Sequence, residues 1–303
     1  MKKIAVIGSL NLDLIATAHH IPAVGETVLA EYGGQHQGGK GANQASAIAK
    51  LGGDVVMLGA VGDDASGRHL LRGLKESGAV ADHIKITPDE PTGQAWITID
   101  KDGGNTIVVL PGANLLVDIA YIESKRAIIG SVDIVVMQLE IPLETVCYTA
   151  KMAKDLGKLV ILDPAPAVKD LPDSLLANTD YVKPNESELE ILTGYPASRY
   201  KEGARHLLER GAKNVIVTLG ASGVYFHSKD GTIFEKPAKK VRAVDTTAAG
   251  DSFIAAVALG IARGQTTSDA IDFAQAVASI VVTRPGAQSS IPTASEVESL
   301  TKI

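Results

Sequence analysis

Ile4-Ala5-Val6-Ile7-Gly8-Ser9-Leu10-Asn11-Leu12-Asp13 opens the chain with a short apolar run that stops at a glycine and is followed by two polar side chains. An unbroken apolar run of this length is the pattern of a strand covered on both faces, as in the parallel sheets of α/β folds. Such sheets collect ligands beyond their strand ends, which puts Asn11 and Asp13 where a ligand is expected. A polar turn held by local Asn and Asp hydrogen bonds accounts for the same residues equally well. The pattern recurs. Strands are expected at 55–60, 134–139, 159–163, 181–182, 215–219 and 223–227. Helices are expected from about 41 to 51, then at 67–77, 118–129, 143–157, 187–193, 200–211, 253–261 and 270–283. Alternation with short connections predicts an α/β fold with a doubly wound, largely parallel central sheet flanked by helices.

Bulk properties exclude several classes. The 303 residues are 45% hydrophobic and 21% charged, enough for a substantial core. A formal charge of −6, without Lys/Arg-rich blocks, argues against nucleic-acid binding. No apolar stretch approaches membrane-spanning length. The N-terminal apolar run superficially resembles a leader, but Asn11 and Asp13 interrupt it and no small-residue cleavage site follows. Cys147 is the single cysteine and sits in an apolar helical pattern, which predicts a buried, inert thiol and a reducing, cytoplasmic setting. The seven histidines are scattered and offer no metal-ligand spacing.

Two segments break the βα rhythm. Residues 14–37 mix short apolar pieces with Pro22, Gly25, Gly33 and Gly34, and residues 92–110 alternate with period two through Gln94-Ala95-Trp96-Ile97-Thr98-Ile99 before turning back. Together they predict a small projecting β-sheet, a lid, leaving 1–13, 38–91 and 111–303 as the main domain. Ala95, Ile97 and Val109 then face one way and Trp96 the other. Between these segments, Gly38-Gly39-Lys40-Gly41-Ala42-Asn43-Gln44 opens a helix. Gly34, Gly39 and Lys40 have P-loop spacing, but Gly41 stands where a Ser or Thr must hold magnesium, and no buried strand precedes the loop. A tight glycine turn, or a backbone that closely approaches a small ligand, remains.

The run Val244-Asp245-Thr246-Thr247-Ala248-Ala249-Gly250-Asp251-Ser252-Phe253 leads small and hydroxyl residues into an apolar helix. A helix N-terminus leaves amides unpartnered and forms an anion site. An aspartate beside such a site repels a phosphate, unless it takes a proton from the hydroxyl that attacks it. A capping aspartate is the plainer reading of the run by itself. Glu140 and Asn185 are further polar residues at strand ends.

These motifs in this order resemble the ribokinase-like carbohydrate kinases along nearly the whole chain. Those that carry the likeness are Gly8–Asp13, Gly38–Gln44, Gln138-Leu139-Glu140, Pro164-Ala165-Pro166-Ala167, Pro184-Asn185-Glu186-Ser187-Glu188, Thr218-Leu219-Gly220, Asp245–Asp251 and Thr283–Ser290. The resemblance implies ATP-dependent phosphorylation of D-ribose at O5, with 2-deoxyribose or another sugar or nucleoside as the alternative acceptor, and a homodimer joined through the lids. It assigns Asn11, Asp13, Gly39, Lys40, Asn43 and Glu140 to the sugar. Asp251 becomes the base, with Ala248, Ala249 and Gly250 as the anion-hole turn. Asn185, Thr218, Gly220, Gly223, Gly250 and Gln275 fall to the nucleotide, and Glu188 to magnesium through water. Asp245, Thr247, Val281, Arg284, Gly286 and Ser290 fall to potassium. Three positions depart from the family pattern: Ala248 replaces a glycine, a change expected to matter little; Gln275 replaces a histidine; Asp163 replaces an asparagine. A non-catalytic sugar sensor is disfavoured by the intact Asp251 turn. A dinucleotide-dependent dehydrogenase is disfavoured by a first strand that lacks Gly-x-Gly-x-x-Gly.

Overall fold

The computed structural model describes residues 1–301. In chain order the elements run β1 (Ile4–Ile7), β2 (Asn11–Ala18), β3 (Ala30–Gly38), α1 (Lys40–Lys50), β4 (Val55–Leu58), β5 (Ala60–Gly62) and α2 (Ala65–Ser77). They continue with β6 (Lys85–Thr87), β7 (Gly93–Ile99), β8 (Asn105–Leu110), α3 (Ile119–Ser124), α4 (Arg126–Ser131), β9 (Ile134–Met137), α5 (Leu143–Asp155), β10 (Leu159–Leu162) and α6 (Asp173–Ala177). The remainder comprises β11 (Tyr181–Val182), α7 (Glu186–Thr193), α8 (Tyr200–Glu209), β12 (Asn214–Thr218), β13 (Val224–Ser228), β14 (Ile233–Lys236), α9 (Ala249–Ala262), α10 (Thr267–Val281) and α11 (Ala294–Thr301). Among the described residues no helix is long and apolar enough to cross a membrane.

The central sheet has eight strands in the order β14-β13-β12-β11-β10-β9-β1-β4. Pairings from β4 to β12 are parallel, while β13 and β14 are antiparallel. Period-two geometry sends alternate residues of each strand to opposite faces. Ala5, Ile7, Val135 and Met137 pack with Ile122 and Val146 on one side. Ile4, Val6, Ile134 and Val136 pack with Ile48, Ile254 and Ala258 on the other. Both faces are therefore covered, which is why the strands read as unbroken apolar runs; each fully buried Ile or Val contributes roughly 1.5–3 kcal/mol. β4 follows β1 to one side and β9 returns to the other, so the order reverses at β1. Crevices at such reversals are the ligand sites of open α/β sheets.

A separate four-stranded sheet, β3-β2-β7-β8, stands apart from the central one. It begins at Asn11, so Asn11 and Asp13 belong to its strand β2 rather than to the connection after β1. Asp13 pairs with Ala95 and Ala95 with Val109, which puts these three on one face together with Ile97; Trp96 pairs with Leu14 and Val108 on the other.

Several expectations are corrected. The helix expected at 118–129 breaks at Lys125 into α3 and α4. The strand expected at 55–60 ends at Leu58, and Ala60–Gly62 joins Lys85–Thr87 in a third, two-stranded sheet. Cys147 is half-buried rather than buried, because it lies on the flank of α5; burial still pushes its thiol up.

Candidate active site

Two groups of predicted residues meet around Asp251, in the first turn of α9. The first lies where β1 and β9 end and β2 begins. Gly39 precedes α1 with φ 86°, and a side chain there would run into the backbone of Leu10 and Asn11, so only glycine lets the helix start this close to β2. No side chain of α1's own segment caps it. Glu140 supplies the missing anion from across the sheet, accepting from Lys40 N at 3.0 Å and Ser9 Oγ at 2.5 Å.

Asn11 is 2% exposed, and its Oδ1 accepts from Asn114 Nδ2 at 2.8 Å. Asn114 is itself fixed by Leu10 N at 2.9 Å. The carbonyl end of Asn11 is thus occupied, and its amide nitrogen is the end left as a donor. Asp13 is buried, and burial together with the charges of Glu140 and Asp251 pushes its carboxyl up to about 7. For Lys40, burial works against the charge, but the carboxylates of Asp251, Asp163, Glu140 and Glu188 outweigh it and hold the ammonium above the usual lysine range.

Asp251 is 7% exposed and its carboxylate accepts two side-chain hydrogen bonds, from Asn43 Nδ2 at 2.9 Å on one oxygen and from Gln44 Nε2 at 3.1 Å on the other, while the Oδ1 of Asn43 is left buried and unpartnered.

 Together these two bonds set the carboxylate's orientation from both sides. The same Gln44 nitrogen donates to Asp163 Oδ2 at 2.9 Å, and Gln44 Oε1 accepts from Gln138 Nε2 at 2.6 Å. Since carboxylates can only accept, the Gln44 amide has one possible orientation here.

The second group lines a cleft of about 980 Å³ that runs from Lys40 and Asp251 past the first turn of α9. Asn185, Glu188, Thr218, Gly220, Gly223, Ala248, Ala249, Gly250 and Gln275 all border it. Ala248 adopts φ 59°, the left-handed region that L side chains enter at a cost of roughly 1–2 kcal/mol. Its replacement of glycine therefore carries a conformational cost, while leaving the backbone amide in place. Asn185 and Glu188 form a reciprocal capping box on α7, Asn185 Oδ1 accepting from Glu188 N and Glu188 Oε2 from Asn185 N, both at 2.8 Å. Gln275 donates to the Pro237 carbonyl at 3.1 Å.

Of the remaining predicted set, Asp245, Thr247 and Gly286 are brought together. Asp245 accepts from Thr247 N at 2.8 Å, Thr247 Oγ1 at 2.6 Å and Gly286 N at 2.8 Å. Burial opposes the Asp245 charge, but these bonds prevail and hold its carboxyl below the usual range. The Arg284 side chain turns to Glu296 at 2.8 Å, and Ser290 Oγ donates to the Ala287 carbonyl at 2.7 Å. Val281 is buried in α10. Sequence reasoning missed Gln44, Gln138, Asn114 and the ion pair of Lys183 with Asp163, 3.0 Å apart. Its available clue was polarity out of place: Gln138 prolongs the apolar run of β9, and Lys183 directly follows β11.

Comparison with known proteins gives one consistent picture. The model of the pfkB family carbohydrate kinases matches residues 1–294. A ribokinase of Schizosaccharomyces pombe is 42% identical, covering 98% of this chain and 97% of that protein. A deoxyribokinase of Salmonella typhi is 38% identical, covering 95% of each. The structure of Arabidopsis thaliana ribokinase complexed with ribose and ATP superposes with a TM-score of 0.92 at 32% identity, over 100% of this chain and 99% of that one.

Proposed function

The chain belongs to the pfkB family of carbohydrate kinases, and from that premise we propose that it transfers the γ-phosphate of ATP to O5 of D-ribose, giving ribose 5-phosphate and ADP. One observation carries this reading. Asp251 lines the cleft and, at the same time, stands close enough to the buried Asp13 for their charges to interact, so a hydroxyl and a phosphate can both reach it. Asp251 accepts the proton as the hydroxyl attacks in line. The amides at the start of α9 and the ammonium of Lys40 face the charge on the transferred group.

The polar set at the sugar end suits a polyol. Asn11 presents a donor, Asp13 and Glu140 present acceptors, and Lys40 is the one cation on that side. We read the small sheet as the lid, with Ala95, Ile97 and Val109 covering the sugar. Its outer strand β8 is exposed along its length, as are Trp96 and Tyr32, which supports a homodimer formed through two lids.

Among the described residues no cluster of His, Cys, Asp and Glu could hold a metal by itself. A magnesium ion carried by the nucleotide phosphates would be held by Glu188 through water, where it would neutralise phosphate charge. Around Asp245 the carboxylate, the Thr247 hydroxyl and the Val282 carbonyl, which accepts from Asp245 N at 3.3 Å, offer oxygen, which suits potassium.

The test is ADP release, coupled to a chromogenic reaction, across ribose, 2-deoxyribose, fructose and nucleosides, with and without potassium. Ribose is expected to give the highest kcat/KM, and potassium to raise it. ADP release that no sugar increases overturns the reading, and a preference for 2-deoxyribose moves it to the other acceptor.

A further inference from the structure

Lys183 is a buried cation to which the kinase reading gives no task. It is 3% exposed and pairs with Asp163, which is 1% exposed. A buried ion pair is a weak source of stability, because desolvating both charges offsets most of their attraction. This pair lies at the cleft wall, however, and both side chains line the cleft. Asp163 is held from its other side by Gln44, whose amide nitrogen also donates to Asp251. Lys183 Nζ stands 3.5 Å from the carbonyl oxygen of Gly250 in the first turn of α9, and a side chain begun at Gly250 would meet Nζ at 3.3 Å. An ammonium has three donors. The Gly250 carbonyl takes one at 3.5 Å and Asp163 faces the ammonium as an ion pair at 3.0 Å, so among the described residues donor capacity is left over on Lys183.

Resting on the kinase reading, we propose that Lys183 donates a hydrogen bond to the γ-phosphate of ATP, and that Asp163 is the positioning residue that holds it there. The charge balance of the cleft calls for such a group. Asp163, Glu186, Glu188 and Asp251 all border it, while a phosphoryl group in transfer needs positive charge at its peripheral oxygens. Lys40 supplies one buried cation and the exposed Lys239 and Lys240 border the cleft as well, while Lys183 is the cation beside Gly250. Gln44 links the two tasks, since one nitrogen orients the carboxylate that takes the proton and the carboxylate that holds the lysine.

The experiment compares wild type and Lys183→Met in steady-state turnover with ribose, and in calorimetric binding of ADP and of adenylyl imidodiphosphate. We expect kcat to fall about 10²-fold. Affinity for the imido analogue should drop about tenfold or more, with ADP affinity and the KM for ribose unchanged. Lys183→Arg should recover part of kcat, because it keeps the charge. If Lys183→Met does not fold, Lys183→Met with Asp163→Asn removes the unpaired carboxylate and the same ratio is read from the double variant. A kcat within about threefold of wild type, or equal losses for the two nucleotides, overturns the proposal. Failure of the kinase reading looks different: wild type then releases no sugar-dependent ADP, and the ratio of the two nucleotide affinities still tests Lys183.

Discussion

The two ends of the site are built from different materials. At the sugar end, side chains are buried and pinned by one another: Asn11 by Asn114, Glu140 by Ser9 and the start of α1, Asp251 by Asn43 and Gln44. At the nucleotide end, backbone does more of the work. The left-handed Ala248 turn shapes the start of α9, and Gly220 and Gly223 keep positive φ where the cleft passes β12 and β13. Pinned side chains discriminate, because a mismatched ligand leaves a buried group unpaired. Turns of backbone accept the part of a ligand that is the same in every reaction. Substitutions at the sugar end should therefore change which acceptor is used, and those at the nucleotide end the rate or stability common to all acceptors.

Asp251 joins the two ends, and the largest effect is expected there. Asp251→Asn should lower kcat by roughly 10²- to 10⁴-fold, about 3–5 kcal/mol of barrier, while ribose binding measured by calorimetry persists. Turnover at the wild-type rate would remove Asp251 from the role of base.

Asp13 tests how firmly the sugar end is pinned. Burial and the charges of Glu140 and Asp251 push its carboxyl up from 3.8 to about 7 on folding, so the native state holds the proton more tightly. The stability this provides is complete below pH 3.8 and is lost as pH rises through about 7. Asp13→Asn has no such dependence, so its Tm should gain on that of wild type between those pH values and then level off. The upper bound of the gain is about 4 kcal/mol. A pH-independent difference in Tm would show that Asp13 is not desolvated in the folded protein.

Asn11→Ala should erode the preference for ribose over 2-deoxyribose by about 1–3 kcal/mol, measured as the ratio of kcat/KM values. Asn114→Ala should move the ratio in the same direction, since it frees the Asn11 amide to turn over. An unchanged ratio in both would take Asn11 away from the 2-hydroxyl. The smallest effect is expected at the nucleotide end: Ala248→Gly relieves the left-handed strain but loosens the unfolded chain, for a net change in unfolding free energy of about 1 kcal/mol or less. A large loss of stability would mean that the alanine methyl packs usefully.

Much of this molecule was legible from the chain alone. Unbroken apolar runs at β1, β9 and β10 determined that a sheet covered on both faces would form, because only such burial excuses the absence of alternation. The small-residue run before Phe253 marked the start of α9, and polar residues after apolar runs marked Asn11, Glu140 and Asn185. What period and composition do not carry is pairing across distance. Gln44 meets Asp163 and Asp251 over separations of 119 and 207 residues, and Asn114 meets Asn11 over 103. Those meetings depend on strand order, which reverses at β1 and is set by the packing of whole elements. Local sequence likewise shows an alanine at 248, but only the turn that leads from the β14 connection into α9 holds it at φ 59°. The sequence determined which segments must be buried and which groups could do chemistry; the tertiary structure decided which of those groups face one another, because contacts between distant residues are fixed only when the layers close.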